Sequence, residues 1–390
     1  MDSPITLGIV TTHPIQYQAP LFRELADRER LEVVVFFRRL PDPEKQGEGF
    51  GTAFSWDLPL LDGYTWRVLA SGDSGNTKAP TFATFGEAYQ AVDVMLIHGW
   101  QSPYMWRAWA RGLFANTPLL VRGESNAMRS RPLPIQLVHR LYLKPFQRYL
   151  YIGESNKQFY REAGVSEDVL YPARYCIENE RFDADRKQLQ TQRDKLRRDL
   201  GIASDAVCFI FCGKFTAVKR TRDIALAFRR VSERTDWAVH LLMVGDGALR
   251  KEAEEVLAGL EDTTTFTGFM NQTEISQAYT AADVMVLASD WETWGLVVNE
   301  GMVFQLPAIV SDRVGGGPDL IKDRETGYIF PFGNVDVLAD KMIRLAKSPK
   351  RARKMGEAAR DLVLSTYGVK HAADGIEKAA QDISDLHKVK

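Results

Sequence analysis

The stretch VCFIFCGKFTAVKRTRDIALAFRRVSER, residues 207–234, decides the fold. It begins with an apolar run that has no polar alternation, passes Gly213, and continues into a helical segment, TRDIALAFRRVSER. Such a run fits a strand covered on both faces, and strands that alternate with helices build a parallel sheet. The pattern recurs downstream. AVHLLMVGDG (238–247) precedes LRKEAEEVLAGL, and TTFTGF (264–269) precedes EISQAYTAA. DVMVLAS (283–289), PAIVSD (307–312) and GYIFPF (327–332) continue the series, and VDVLADKMIRLAKSPKRARKMGEAARDLVLSTY closes it as helices.

The same alternation fills the first half. TLGIVT (6–11), LEVVVFF (31–37), DVMLIH (93–98), PLLVRG (118–123) and RYLYIG (148–153) read as strands, and APLFRELAD (19–27) has helical spacing. Composition shifts near Phe182, where DADRKQLQTQRDKLRRDLGIASDA is charged, has helical spacing and reads as a linker leading into a helix. The fold class is therefore α/β, with two doubly wound parallel-sheet units at 1–182 and 183–369. A chain of 390 residues exceeds one typical core, which agrees with two units. Ligands of such units sit outside the carboxyl ends of the strands, in a cleft. The Pro-, Gly- and charge-rich segment 38–54 reads as a mobile loop beside that cleft.

Bulk properties exclude several classes. Hydrophobic residues make up 45% and charged residues 26%, an ordinary globular balance. A formal net charge of -1 gives no global pull toward nucleic acid. No apolar run approaches the roughly 18–20 residues that span a bilayer. MDSPITLGIVTTHP reads as a first strand and not as a signal peptide. Cys176, Cys208 and Cys212 do not make a disulfide framework, which suits a reducing cytoplasm. Cys208 and Cys212 fall on one face of a buried strand.

Four features of the second half carry chemistry. Lys214 and Lys219 follow Gly213 at a strand-to-helix turn. They read either as a diphosphate clamp or as a solvated surface pair. Gly245, in VGDG, ends another strand in a tight turn. TFTGFMNQTEISQAY offers backbone groups that can hold a flat base edge-on. In SDWETWGLVVNEGMVFQLPAIVSDRVGGGPDL, residues 289–320, Trp294-Gly295-Leu296 precedes a helix carrying Glu300. Backbone N–H groups at a helix N-terminus bind phosphate, and Gly295 lets the backbone come close.

The run ETWGLVVNEGMVFQLPAIVSDRVGGGPDLI resembles the Glu–seven residues–Glu motif of retaining glycosyltransferases of family four. GKFTAVKR resembles that family's phosphate clamp, and VGDGALR and FTGFMNQTEISQAYTAADVMVLAS match its ordered blocks. Together they cover residues ~207–345. The resemblance implies the GT-B architecture, two Rossmann-like domains facing across a cleft, with residues ~370–390 crossing back onto the first. It implies a donor set of Gly213, Lys214, Lys219, Gly245, Phe269, Met270, Gly295, Leu296, Val297 and Glu300. In that set the lysines hold diphosphate, Glu300 takes ribose, the Leu296 and Val297 amides touch phosphate, and Phe269 and Met270 lie by the base. Glu292 would contact the transferred sugar, and Glu292, Lys219 and His98 form the catalytic set. The donor implied is a nucleotide sugar, by default a UDP-sugar such as UDP-glucose, with neither cofactor nor metal. Lys214 stands where the family usually has Arg, Asp319 near a usual Glu, and Gln305-Leu306 where a Gly-x pair is usual.

The first half resembles the family less. TTHPIQYQAP and YPARYCIENERF resemble a polysaccharide-assembly subgroup. His13, Gln16 and Gln18, with Arg122 and Glu124 and also Glu154, are the acceptor-side candidates, for a saccharide or lipid-linked saccharide. His98 ends a strand and resembles the family's cleft histidine. Trp100, Tyr104 and Trp106 either platform a sugar ring or belong to the core. The segment 128–151 carries Arg129, Arg131, Arg140, Lys144 and Arg148. It is open to two readings, a peripheral contact with an anionic membrane or an amphipathic helix packed on its sheet. Three rival functions stay open: a sugar-nucleotide epimerase, a phosphorylase-like enzyme, and an inactive sugar-nucleotide-binding protein.

Overall fold

The computed structural model describes residues 3–51, 53–69 and 82–388. It divides into two compact units. The first comprises Met1–Pro41, Pro59–Ile177 and Gly368–Lys390, and the second comprises Asp42–Leu58 and Glu178–Tyr367.

The first unit is built on β1 (Ile5–Thr11), β2 (Leu31–Phe37), β3 (Thr65–Leu69), β4 (Phe82–Ala83), β5 (Val94–Ile97), β6 (Leu119–Val121), β7 (Arg148–Tyr151) and β8 (Leu170–Pro172). Their order is β4-β3-β2-β1-β5-β6-β7-β8, and neighbours pair in parallel. Val94 to Ile97 are all buried, as a two-sided parallel strand requires. The chain leaves β1 toward β2 on one side and returns to β5 on the other. The carboxyl ends of β1 and β5 therefore flank a topological switch point, where such sheets bind ligands.

The last helix, Val369–Lys388, belongs to this unit. Ala372, Ala373, Ile376, Ala379, Ala380 and Ile383 recur at helical spacing and bury against Leu21, Leu25 and Tyr171. Gly375 permits the close approach, because a Cβ there would lie 1.7 Å from the carbonyl oxygen of Pro172. Tyr171 donates to Asp382 at 2.6 Å.

The second unit is built on β9 (Val207–Cys212), β10 (Val239–Val244), β11 (Thr264–Gly268), β12 (Val284–Leu287), β13 (Ala308–Ser311) and β14 (Gly327–Phe330). The order is β11-β10-β9-β12-β13-β14, again parallel, with the switch point between β9 and β12. The charged stretch after Phe182 follows its helical spacing, with helices at Asn179–Leu189 and Arg193–Asp199. A distant carboxylate anchors the second of them. Asp283 accepts from Arg193 at 2.7 Å, from Arg197 at 3.1 Å and from the amide of Cys208 at 2.9 Å. Arg197 is buried and also donates to the carbonyls of Ala281 and Ala203.

The segment 42–58, placed with the first half by the sequence division, clusters with the second unit. Asn271 donates to the carbonyl of Ser55 at 2.8 Å, and the amide of Thr273 donates to Asp57 at 3.1 Å. Phe269 sits among Phe50, Phe54 and Trp56, with centroids 4.9, 4.1 and 6.4 Å away.

Candidate functional site

Both switch points gather polar side chains, and each belongs to a single unit. In the second unit, β9 is followed by Gly213, whose φ of 153 and close approach to Gly245 set the turn. A Cβ on Gly245 would fall 2.0 Å from the Gly213 carbonyl oxygen. The chain then runs through a short 3-10 turn, Ala217–Lys219, into the helix Thr221–Arg234. The amide of Asp290 donates to the carbonyl of Val218 at 2.8 Å. That bond ties the loop after β12 to the turn after β9 and brings Lys219 to Glu292. The Lys219 ammonium pairs with Glu292 Oε1, which also accepts from Ser289 Oγ at 2.8 Å.

The helix Leu296–Val303 starts immediately after this cluster. Gly295 adopts φ 101, and a Cβ there would press on Val314 and Leu287 at 3.0 and 3.2 Å. Trp294 is buried and donates to Asn299 Oδ1 at 2.8 Å, which pins the turn to the helix. The glycine cluster closes around it: the amide of Gly316 donates to the Trp294 carbonyl, and a side chain at 316 would strike that oxygen. The amides of Leu296 and Val297 open the helix, where no carbonyl one turn back is available to them.

Glu300 lies one turn further on and is buried. Its Oε2 accepts from Tyr279 Oη at 2.6 Å. Burial pushes its pKa up to about 7, against smaller opposing effects of the Tyr279 hydroxyl and the Arg181 charge. Cys212 completes the cluster, its thiol pushed up to about 12 by burial and by Glu300. Sequence reasoning found Glu300 but not Tyr279 or Ser289, and it gave Cys212 to the core. Only strand-end position marks Ser289, and nothing local marks Tyr279.

Lys214 does not join Lys219. Its ammonium donates to the carbonyl of Glu48 and lies 4.9 Å over the ring of Phe50. Desolvation lowers its pKa. Phe269 carries the aromatic cluster of 50–56, and Met270 next to it is half-buried. The segment 42–58 thus covers the expected base and phosphate residues, where a free loop was expected. Gln305 stands at φ 62, the conformation that glycine normally supplies at a helix end. Asp319 accepts from Tyr367 Oη at 3.2 Å.

In the first unit a cavity of about 220 Å³ opens at the switch point. Thr11, Thr12, Tyr17 and Gln18 line it after β1, His98 to Met105 after β5, and Arg122, Glu124 and Ser125 after β6. His98 Nε2 is buried without a partner among the described residues. Burial and the Arg122 charge hold the His98 pKa down at about 3, so the ring is neutral. Gln18 is buried and meets Thr11 Oγ1 at 3.3 Å. Glu124 accepts from Tyr175.

Other acceptor-side candidates are placed differently. His13 bonds Thr12 at 2.9 Å, and neither it nor Gln16 lines the cavity. Arg122 reaches the wall, but it donates to the carbonyl of Ala173 at 3.2 and 3.0 Å and so braces the backbone. Glu154 opens the next helix, away from the cavity. Trp100 and Tyr104 are buried among aromatic neighbours, which is the core reading, although Trp100 also walls the cavity. Among the described residues no group of three or more His, Cys, Asp or Glu is placed to hold a metal ion. No helix among them is long and apolar enough to cross a membrane.

The family model described as glycosyl transferases group 1 matches residues 192–362. The matched residues lie within the second unit. N-acetyl-alpha-D-glucosaminyl L-malate synthase of Bacillus anthracis is 32% identical over 188 residues, 48% of each chain. The chain spans about half the length of the curated relatives it matches. Solved structures extend the likeness to the whole fold. A glycosyltransferase from Rickettsia africae superposes with a TM-score of 0.73 at 16% identity, covering 98% of this chain and 99% of that one. Anabaena Alr3699/HepE in complex with UDP and glucose gives 0.70 at 14% identity, covering 97% and 100%. The fold is GT-B, with two Rossmann-like units. The group 1 unit holds every donor-side residue named above.

Proposed function

We propose that the chain is a hexosyltransferase. It moves a sugar from a nucleotide donor, a UDP-sugar in the first instance, to a hydroxyl of a saccharide acceptor, with retention of anomeric configuration. The observation that carries the reading is the Lys219–Glu292–Ser289 cluster at the switch point of the group 1 unit, one turn before a glycine-opened helix that buries Glu300. Binding of UDP and glucose by Anabaena HepE favours the donor class.

The residues divide the work. Lys219, Lys214 and the helix N-terminus at Gly295 balance the charge that grows on the β-phosphate as the bond from C1 to phosphate oxygen breaks. An ammonium has three N–H donors, so Lys219 serves Glu292 and still has capacity for phosphate. No metal is needed for that balance. Glu292 accepts from hydroxyls of the transferred sugar and fixes its angle. Ionised Glu300 accepts from the two ribose hydroxyls. The acceptor oxygen bonds to C1 on the face the nucleotide leaves, and its proton passes to the departing phosphate. Neutral His98, with its unpartnered Nε2, takes a sugar hydroxyl in the first unit. The product class we infer is an exopolysaccharide or cell-surface glycan, made in a reducing cytoplasm.

The test is Glu292→Ala. Transfer should be abolished while UDP binding largely survives; loss of UDP binding with transfer intact refutes the roles. A thermal-shift panel of UDP-, GDP- and ADP-sugars assigns the base, because specific ligands stabilise the fold. A protein that binds a sugar nucleotide but neither transfers nor hydrolyses it would instead be a binding module.

A further inference from the structure

The helix Leu133–Leu143 is wrapped the wrong way for a core element. Of its 11 residues only Tyr142 and Leu143 are buried. Leu133, Leu137 and Leu141 are 78%, 57% and 59% exposed, and Val138 is 48% exposed. Residues 133, 137 and 141 fall at i, i+4 and i+8, and 134 and 138 share the adjoining row, so the apolar groups form one continuous outward face. A helix packed on its sheet would turn this face inward. Trp106, 37% exposed, sits edge-on to the ring of Tyr142 at 4.6 Å and widens the apolar area.

Charge frames the face. Arg140 and Lys144 are exposed four residues apart along its edge, and Arg129 and Arg131 precede the helix. From Ser125 to Gly153 the sequence has five basic residues and no Asp or Glu, in a chain whose net charge is -1. A groove of about 670 Å³ beside the helix is lined by Arg129, Arg131, His139 and Arg140, with Glu162 its one acid.

We propose that this helix is a membrane-surface anchor that lies flat in the headgroup layer of an anionic bilayer. An exposed apolar stripe rimmed by cations is the pattern of an interfacial helix. At 11 residues the helix is roughly 16 Å long, about half of a bilayer core, so it lies in the interface and does not cross. A second copy of the chain is a poor occupant, because a two-fold contact here would set one cluster of cations against another. Anionic lipid satisfies the leucines and the cations together. The proposal stands apart from the donor reading, since none of these residues touches the Glu292 cluster.

Co-sedimentation of the full chain with vesicles tests it. Binding is expected to vesicles of phosphatidylglycerol and phosphatidylcholine in equal parts, to be weak with phosphatidylcholine alone, and to fall with added salt. Arg140→Gln/Lys144→Gln should lower partitioning roughly 30-fold, the equivalent of about 1 kcal/mol per charge near the surface. Leu137→Ser/Leu141→Ser should abolish it. Both variants alter exposed side chains, so an unchanged melting temperature and unchanged UDP affinity confirm that they are folded. No binding by the parent protein, or equal binding by both variants, overturns the proposal. So does a dimer in analytical ultracentrifugation that Leu137→Ser/Leu141→Ser dissociates without any vesicle binding.

Discussion

Glu300→Gln isolates the cost of holding a carboxyl in a buried cluster. Burial raises the Glu300 pKa from 4.5 to about 7. The sign follows from proton counts. Between those two values the unfolded chain has released its proton while the folded chain keeps it. The folded state then binds more protons, and its stability falls as pH rises from about 4.5 to about 7, levelling off above. Since one pKa unit corresponds to about 1.4 kcal/mol, a rise of that size removes about 3 kcal/mol at high pH. Integrated between pH 5 and pH 8 only, the loss is about 2–3 kcal/mol. Glutamine keeps the shape but cannot ionise. Its amide loses or gains hydrogen bonds with Tyr279 by an amount that does not depend on pH, so that amount cancels in a double difference. Urea unfolding of parent and variant at pH 5 and pH 8 should therefore give a double difference of about 2–3 kcal/mol in favour of the variant at pH 8. In melting temperature that is roughly 5–10 °C for a unit of this size. Equal pH dependence in the two proteins would refute the buried, proton-holding Glu300. A variant less stable at pH 8 than at pH 5, relative to the parent, would reverse the sign and refute it outright.

Three further outcomes are expected. Gln305→Gly should stabilise the second unit by about 1 kcal/mol. Residue 305 is the left-handed position of a Schellman end, with Leu306 N donating to the Gly301 carbonyl at 3.1 Å and Gln305 N to that of Met302 at 3.0 Å; a lower midpoint in thermal unfolding would contradict this. Asp283→Ala should destabilise by about 2–3 kcal/mol, because it strands the buried guanidinium of Arg197 and the Cys208 amide; denaturant titration measures it, and a change within error would show that the carbonyl bonds of Arg197 suffice. Saturating UDP should speed amide hydrogen exchange across residues 42–58, because the nucleotide competes with the Glu48 carbonyl for Lys214 and with Phe54 for Phe269. Slower exchange would mean that the segment folds over the nucleotide instead of yielding to it.

The parts of the site that sequence disclosed are those where backbone and side chain share one short stretch. Gly295, Leu296 and Glu300 belong to a single turn and helix, so their spacing alone carries their geometry. Gln305 shows the same economy, since its departure from glycine coincides with a positive φ. The strand runs were legible because a parallel strand buried on both faces needs no partner's identity to be apolar. What stayed hidden depends on residues far apart in the chain. Tyr279 reaches Glu300 from another helix, and Asp283 anchors the helix Arg193–Asp199 from roughly ninety residues away. His13 and Gln16 share the loop of Gln18, yet only Gln18 lines the cavity, because which way each loop residue faces is set by packing that local sequence does not encode.

The segment 42–58 is the strongest instance of this limit. Its glycines, proline and charges are those of a free loop, and its local sequence is satisfied by that reading. Its order in the structure comes from Phe50, Phe54 and Trp56 closing on Phe269, more than two hundred residues away. Aromatic pairs of this kind add about 0.5–1.5 kcal/mol each beyond the area they cover. The rings that hold the loop down are also flat surfaces on which a nucleobase stacks. On the proposed donor reading, a segment anchored at the base seat would exchange one aromatic partner for another when donor binds. On that reading donor affinity would include the free energy of releasing residues 42–58, so substitutions in this loop should tune nucleotide binding without touching Glu292 or Glu300.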